Sequence, residues 1–147
     1  MSWVKYAMKL NILSAFYGFA FFAVVELLVN TYRLQRLLGL DTDRYNQVMT
    51  WVHFGGFFLV TGIAYATARY WMQGRKSLLW STLLWFPYAA LFIYGVASFW
   101  PITDPGDKPG PGAGIIMLGM TVLYPVYLLF VNGIAVLGRS IAAESHT

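Results

Sequence analysis

Long runs of apolar residues, separated by short polar connections, dominate the sequence. Four segments reach the length of about 20 residues that a helix needs to cross a bilayer: Leu10–Val29, Val52–Trp71, Leu78–Trp100 and Ile115–Leu137. These runs are continuous and lack the period of two that a membrane barrel strand requires. The pattern predicts an all-α integral membrane protein, with four transmembrane helices in an up-down bundle.

With their polar ends included, the predicted spans cover approximately residues 10–32, 48–71, 77–100 and 114–138, all within one domain. In the first connection, leucines at helical spacing alternate with arginines, which predicts an amphipathic extension of the first helix. Gly39 is a suitable terminator of that extension, and Asp41, Thr42 or Asp43 can cap the next helix. The first connection is therefore expected to be a tight helical hairpin.

The third connection, residues 101–114, is rich in residues that break helices. It holds four prolines and four glycines, which predict turns or extended chain rather than regular structure. Two interpretations fit this composition: a semi-rigid arm that lies against a partner, and a solvated turn that joins two helices.

Two prolines lie near the middle of the third and fourth predicted spans. Pro87 and Pro125 each remove a helical hydrogen bond, so both helices are expected to kink there. Tyr94 and Asn132 follow seven residues later and are predicted to point into the bundle. The segments 87–97 and 125–135 also match at Pro, Leu, Phe, Gly and Ala, which in antiparallel helices would be an inverted repeat of the kind found in transporters.

The composition excludes an ordinary soluble domain, because 59% of the residues are apolar and only 11% are charged. Six basic residues fall on the side of the two termini and four on the other side. This bias predicts a prokaryotic cytoplasmic membrane protein with N- and C-termini in the cytoplasm. The basic residues are spread over several connections, so we expect no nucleic-acid binding.

Glu26 is the only acidic residue inside an apolar run, and an intramembrane carboxyl group is a functional-site hypothesis by default. Asn30 and Arg33 follow at i+4 and i+7 on roughly the same face. Together with Asn132 they are candidates for a proton or ion relay. The other interpretation is that Glu26 reaches the interface or forms an ordinary bond between helices.

His53 opens the second span in the same leaflet as Glu26, so a contact between the two is expected, with Tyr94 as a third member. The only other histidine, His146, lies in the C-terminal tail, predicted on the opposite side. A metal site and a heme held by two histidines of this chain are therefore not expected. A heme shared with another chain stays open, as does a histidine that only packs against its neighbours.

The segment Tyr45-Asn-Gln-Val-Met-Thr-Trp-Val-His53-Phe-Gly-Gly56 resembles the start of the second membrane helix in the catalytic subunits of heme–copper oxidases. In that family a histidine at this place ligates the low-spin heme, so the resemblance implies a heme-binding role for His53. It covers about a dozen of the 147 residues. The spacing around His53 departs from the family pattern, and the later spans hold no histidine for a second ligand or a copper site. A complete oxidase subunit is thereby excluded.

Aromatic side chains near the predicted midplane complete the candidate site. Interfacial anchoring explains most tryptophans, but it does not explain Trp85, Tyr88, Tyr124 and Tyr127. These four, with His53 and Tyr94, are the candidate cofactor-binding residues. They are expected either to pack against the proline kinks or to line the edge of a lipid, quinone, heme or pigment.

The chain carries no complete catalytic constellation, so catalysis by this chain alone is not expected. The favoured hypothesis is an accessory or structural subunit of a larger membrane complex of respiratory or photosynthetic electron transfer. Its partners would be the lipid bilayer and other membrane subunits or further copies of itself. The alternative is a small transporter or channel, proton-coupled through Glu26.

Overall fold

The computed structural model describes residues 3–73 and 75–144, in which all regular structure is helical. His146 lies outside the described residues. Four helical segments are long and apolar enough to cross a membrane, as the sequence predicts. The α-helices, in chain order, are α1 (Trp3–Val29), α2 (Thr31–Leu38), α3 (Thr42–Ala66), α4 (Ser81–Phe99) and α5 (Pro111–Glu144).

The first connection is helical. The backbone N–H of Asn30 donates to the carbonyl of Glu26, and the N–H of Leu34 donates to that of Asn30. These two bonds continue the helical hydrogen-bond pattern from α1 into α2 almost without interruption. Gly39 ends α2 with a φ of 62°, a left-handed conformation that favours glycine. Asp41 then caps α3 by accepting a hydrogen bond from the N–H of Arg44 at 2.9 Å.

The second connection is helical over most of its length. α3 runs on through a π-helical segment, Thr67–Trp71, and a 3-10 helix, Lys76–Trp80, leads into α4. Lys9 Nζ donates to the carbonyl of Trp71 at 3.2 Å, and Arg139 donates to the carbonyl of Gln73. These bonds tie the N-terminal part of α1, the second connection and the C-terminal part of α5 together at one end of the molecule.

The third connection is more regular than the sequence predicts. Pro105–Asp107 forms one 3-10 turn, stabilised by a 2.8 Å hydrogen bond from the N–H of Gly106 to Asp104. α5 begins at Pro111, which suits proline because the first N–H groups of a helix need no helical partner. The turn at 105–107 agrees with the turns that were expected, whereas the expectation of irregular chain is wrong for 111–114, which are helical.

Pro87 and Pro125 both lie inside α-helices that continue on either side of them, and the kinks stay a prediction. Asn132 is fully buried, as expected. Tyr94 is 73% exposed, so the prediction that it points into the bundle is wrong. The buried face of α4 runs through Trp85 and Ala89. Tyr94 lies five residues beyond Ala89, which places it about 140° around the helix from that face.

The tightest contact between helices joins α1 to α4 at Gly18. A Cβ on Gly18 would lie 2.7 Å from Cβ of Tyr88, 2.8 Å from the backbone N of Ala89 and 2.8 Å from the carbonyl oxygen of Trp85. One helical turn earlier, Ser14 is fully buried and donates to the carbonyl of Leu10. The two small residues, four positions apart, let the backbones of α1 and α4 approach closely.

α3 is packed much less closely than α1. Large apolar side chains on several of its sides are exposed, among them Phe54, Phe58 and Leu59. A Cβ on Gly55 or on Gly62 would meet no atom within 4 Å. The described part of the chain is thus a close α1–α4 pair with α5 packed on it, and a third layer, α3, that touches the others along one edge.

We expect Gly18→Ala to lower the free energy of unfolding by about 1–3 kcal/mol, the usual cost of overpacking a filled contact. The methyl group would press against backbone atoms of α4, which cannot move aside like the end of a flexible side chain. Gly62→Ala is the matched control, since it adds the same group where space is open. Unfolding in mixed micelles, followed by circular dichroism, measures both variants. Equal stability of the two would contradict the close approach at Gly18.

Candidate functional site

An apolar cleft of about 440 Å³ lies between α1, α3 and α5. Each of the three helices contributes to its walls, and nearly all of the lining side chains are aliphatic or aromatic. The lining residues are Ala20, Phe21, Val24, His53, Gly56, Phe57, Val60, Met120, Leu123, Tyr124 and Tyr127. A volume of this size, with few polar groups, is typical of sites for small organic ligands.

Stacked aromatic rings form one wall of the cleft. The ring centroid of Tyr124 lies 5.2 Å from that of Phe21 and 4.8 Å from that of Trp85, which is buried behind it. Tyr127 stacks on Tyr124 at 5.8 Å and meets Phe57 of α3 at 5.7 Å. This wall presents ring faces and edges to whatever occupies the cleft.

His53 brings an imidazole to the cleft from α3. Its Nδ1 lies 2.6 Å from the carbonyl oxygen of Met49, one turn earlier in the same helix. A carbonyl oxygen can only accept, so Nδ1 carries the proton and donates it to Met49. In the tautomer with the proton on Nδ1 the lone pair is on Nε2, and among the described residues Nε2 has no hydrogen-bond partner.

The two tyrosine hydroxyl groups at the cleft both donate to the protein. Tyr124 donates to the carbonyl oxygen of Tyr17 at 2.8 Å. The hydroxyl of Tyr127 lies 2.7 Å from that of Thr61, whose own proton goes to the carbonyl of Phe57 at 2.6 Å. Because Thr61 has a single hydroxyl proton, Tyr127 is the donor in the bond between them.

A buried polar chain ties the three closely packed helices together below the aromatic wall. Tyr17 donates to Oδ1 of Asn132 at 2.7 Å, and Nδ2 of Asn132 donates to Ser81 at 3.0 Å. The hydroxyl of Ser81 in turn donates a hydrogen bond to the carbonyl of Leu78 at 2.7 Å. Tyr17, Asn132 and Ser81 are all fully buried. Each hydroxyl or amide group therefore has a partner, as a buried polar group requires.

Glu26 belongs to a second polar network at the α2 end of the molecule. Its carboxylate accepts a hydrogen bond from Nδ2 of Asn30 at 2.7 Å, and Oδ1 of Asn30 accepts one from Arg33 at 3.3 Å. Arg33 also donates to the carbonyls of Trp100 and Pro101, and its guanidinium stacks 4.4 Å from the Trp100 ring centroid. The network thus joins the end of α1 to the chain that follows α4.

Asp107 anchors the third connection on this network. It forms a bidentate pair with Arg36, at 3.1 Å and 2.5 Å, and lies 4.0 Å from Arg33. The hydrogen bonds and charge of Arg36 hold the pKa of Asp107 below its ordinary value. The hydrogen bonds and charge of Asp107 raise the pKa of Arg36 in turn. The Pro/Gly-rich connection lies against α2 of its own chain.

The structure separates the candidate residues into several places. His53, Tyr124 and Tyr127 meet at the cleft. Trp85 packs behind Tyr124, whereas Tyr88 is half-buried on another side of α4 and donates to Asn11 at 2.7 Å. Glu26 bonds to Asn30 and His53 to Met49, and no described hydrogen bond joins Glu26 to His53 or Tyr94.

Several residues that build these sites were missed from the sequence. The small residues Ser14 and Gly18, four positions apart, are a signal for the close α1–α4 contact. Asp107 could have been found as a carboxylate on the same side as Arg33 and Arg36. The signal for Tyr17 is weaker, because nothing in the sequence pairs it with Asn132.

Comparison with known proteins supplies no further guide to the site. No family model matches the sequence, no curated protein is significantly similar to it, and no solved structure matches the fold. In residues 3–73 and 75–144, no group of three or more His, Cys, Asp or Glu side chains is arranged to hold a metal ion. The function must be argued from the cleft and the two polar networks.

We expect Asp107→Asn to loosen the third connection, because the neutral amide cannot hold two guanidinium groups as a carboxylate does. Hydrogen–deuterium exchange of peptides covering 100–110 should be faster in this variant. Asp104→Asn is the control, since its amide oxygen can still accept from the N–H of Gly106.

The same comparison has a defined pH dependence. A lowered pKa means that Asp107 stabilises the folded connection above its ordinary value of 3.8, and that this contribution is lost as the pH falls through the lower value in the folded protein. The difference in exchange between wild type and Asp107→Asn should therefore persist near neutrality and vanish in strong acid. A difference that does not change with pH would contradict the role of the carboxylate charge.

Proposed function

We propose that this chain is an accessory subunit of a larger membrane complex of electron transfer, and that its cleft holds a membrane-soluble aromatic ligand of the quinone, heme or pigment class. The observation that carries the proposal is the cleft of about 440 Å³ between α1, α3 and α5, with His53, Tyr124 and Tyr127 in its walls. His53 of α3 meets Tyr124 and Tyr127 of α5 there, although the two helices are far apart in the sequence.

The chemistry of the cleft suits such a ligand. Its apolar walls would hold a flat ring and the start of a hydrocarbon tail, and Phe57, Tyr124 and Tyr127 offer ring contacts. The imidazole of His53 is the one lining side chain with an unused lone pair on nitrogen among the described residues. α3 covers the cleft only along one edge. A ligand dissolved in the bilayer would therefore reach the cleft directly from the lipid, without passing through water.

The exposed faces of α3 support the subunit part of the proposal. Aromatic and aliphatic side chains of α3 remain uncovered, and so do Gly55 and Gly62. Lipid can cover the large side chains, but small residues are typical of contacts between membrane helices. Other membrane subunits or further copies of this chain would pack against the exposed face of α3 around Gly62.

The proposed arrangement in the membrane is an up-down bundle with both termini in the cytoplasm. Lys9 and Arg139 donate to the carbonyls of Trp71 and Gln73, so basic residues of α1 and α5 meet the second connection at one end. At the other end Arg33 and Arg36 are paired with Asp107. The larger number of Lys and Arg residues on the side of the two termini supports its cytoplasmic location.

The alternative function, a small transporter that carries protons through Glu26, has less support. The network of Glu26 leads through Asn30 to Arg33, at the α2 end. Among the described residues no hydrogen bond links that network to the buried chain of Asn132. The packed rings of Phe21, Trp85 and Tyr124 lie between the two, and a proton path would have to cross this apolar layer.

Substitution of two neighbouring glycines tests ligand binding in the cleft. Gly56 lines the cleft, whereas Gly55 does not, and a Cβ would meet no atom within 4 Å at either position. We expect Gly56→Phe to fill the cleft and Gly55→Phe to leave it open. After purification in mild detergent, solvent extracts analysed by absorbance and mass should contain less quinone or pigment for Gly56→Phe alone. Equal ligand content in both variants and wild type would contradict the proposal.

The subunit proposal has a separate test. Purified in mild detergent at native abundance, the chain should comigrate with other membrane proteins that carry redox cofactors. Native mass analysis and an absorbance spectrum of the particle measure this directly. A colourless monomer or small homo-oligomer would contradict the role as an accessory subunit.

A further inference from the structure

We infer that the cleft selects a ligand whose polar head donates a hydrogen bond, a hydroxyl group on a ring such as that of a hydroquinone, over one whose head can only accept. The inference rests on the proposed function, because it presumes that the cleft binds a ligand. It comes from assigning each proton on the polar side chains that line the cleft.

His53 offers an acceptor to the cleft. Its single ring proton is on Nδ1 and is used by the carbonyl of Met49 at 2.6 Å. Nε2 is left with a lone pair, which can take a hydrogen bond from a hydroxyl group but gives nothing to a carbonyl. The bond to Met49 keeps the ring proton on Nδ1, so the lone pair is on Nε2 before a ligand arrives.

Tyr127 offers an acceptor for a less direct reason. Thr61 gives its only hydroxyl proton to the carbonyl of Phe57, so Tyr127 must give its own proton to Thr61. What the Tyr127 oxygen can still do is accept. Thr61 therefore determines that the Tyr127 hydroxyl can only accept a further hydrogen bond, although Thr61 is not itself among the lining residues.

Tyr124 completes the set. Its hydroxyl proton goes to the carbonyl of Tyr17 at 2.8 Å, which leaves oxygen lone pairs only. His53, Tyr124 and Tyr127 are the polar side chains among the lining residues. All three have committed their protons to the protein.

A cleft with acceptors alone discriminates strongly between ligand heads. A carbonyl or an anion would lose its hydrogen bonds on entering and find no donor among these side chains, which is costly in an apolar site. A hydroxyl group would find lone pairs to donate to. The reduced form of a quinone has such hydroxyl groups, whereas the oxidised form has carbonyls in their place.

Three ligands that differ only at the head test this discrimination: 2-decylhydroquinone, its dimethyl ether and the oxidised 2-decylbenzoquinone. Binding is measured anaerobically at about pH 8, where an imidazole is ordinarily neutral, from depletion of each ligand by protein in nanodiscs, with empty nanodiscs as the blank. We expect the hydroquinone to bind about tenfold more tightly than the other two, as one or two net hydrogen bonds imply. His53→Phe should reduce this ratio while the ether still binds.

Thr61→Val is the most informative variant, because it should increase the affinity for one ligand rather than weaken binding. Without the Thr61 oxygen, the proton of Tyr127 is free to be donated to a ligand. We expect the benzoquinone to bind several-fold more tightly to Thr61→Val than to wild type. Thr50→Val is the matched control on the same helix, since Thr50 donates to Asn46 and makes no described bond to Tyr127.

The outcomes separate this inference from the proposed function. If none of the three ligands binds to wild type, or if Gly56→Phe binds them as well as wild type does, the cleft is not a quinone site, and this inference fails together with the assignment of a quinone to the cleft in the proposed function. If all three bind equally and Gly56→Phe abolishes binding, the site stands and the selection for a donor is overturned. A Soret band that forms with added heme and disappears in His53→Phe would also overturn it, because Nε2 would then be an iron ligand.

A fourth ligand distinguishes the two sources of a hydroxyl head in a membrane. 1-Decanol carries the same donor on a similar tail but has no ring. Weaker binding of the alcohol than of the hydroquinone supports a ring-bearing ligand held by the aromatic wall. Equal binding would overturn the assignment of the site to a hydroquinone and leave only the requirement for a donor.

Discussion

The close approach of α1 and α4 at Gly18 is the contact on which the rest of the structure depends. In a bilayer, apolar side chains gain little by leaving lipid for protein, so helices associate through close packing and hydrogen bonds. At Gly18 the backbone of α4 comes within the space that a Cβ would need. That proximity brings Trp85 of α4 against Phe21 of α1, with ring centroids 4.8 Å apart, and so builds the inner side of the aromatic wall.

Hydrogen bonds then fix the position of α5 on this pair. Asn132 accepts a hydrogen bond from Tyr17 and donates one to Ser81, so a single amide group connects α1, α5 and the start of α4. Tyr124 of α5 donates to the backbone of α1 one turn below Phe21. α3 joins this assembly along one edge, where the hydroxyl groups of Thr61 and Tyr127 are hydrogen-bonded, and most of its large side chains stay exposed. The cleft is the space between α3 and the other helices.

The position of each polar side chain determines whether it acts in packing, in holding a connection or in binding. Asn132 and Tyr17 are fully buried and hydrogen-bonded to each other, and they act in packing. Asp107 and its two arginines lie at one end, where they hold the third connection. His53 differs from Asn132 and Tyr17, because Nε2, the nitrogen that does not bond to Met49, has no partner in the described part of the chain. An unused lone pair beside an apolar cleft is the feature that distinguishes a binding site from a packing contact.

Hydropathy was enough to predict four spanning-length helices, and residue type was enough to predict the Gly39 end of α2 and a cap at Asp41, Thr42 or Asp43, of which the structure shows Asp41. Asn132 was recognised as inward-facing because an amide in an apolar span has few other options. Tyr94 was misplaced because the position of Pro87 does not determine which face of α4 is buried; Gly18 on the neighbouring helix does.

The cleft itself was beyond the reach of the sequence. His53, Tyr124 and Tyr127 come from helices whose mutual rotation depends on contacts between distant residues. The order of proton donation from Tyr127 to Thr61 to Phe57 can be read only from their distances. Sequence reasoning named the residue types that suit a ligand, and the three-dimensional arrangement determined which of them act together.

Photolabelling tests most directly the central claim that a ring-bearing ligand occupies the space between α3 and the other helices. The probe is a decylhydroquinone with a diazirine next to the ring, used in native-like nanodiscs and displaced by excess unlabelled hydroquinone. Mass analysis of the peptides should locate displaceable label on cleft residues such as Val60, Met120 and Leu123. Label on outward-facing residues such as Phe58 and Leu91, undiminished by the competitor, would contradict the account.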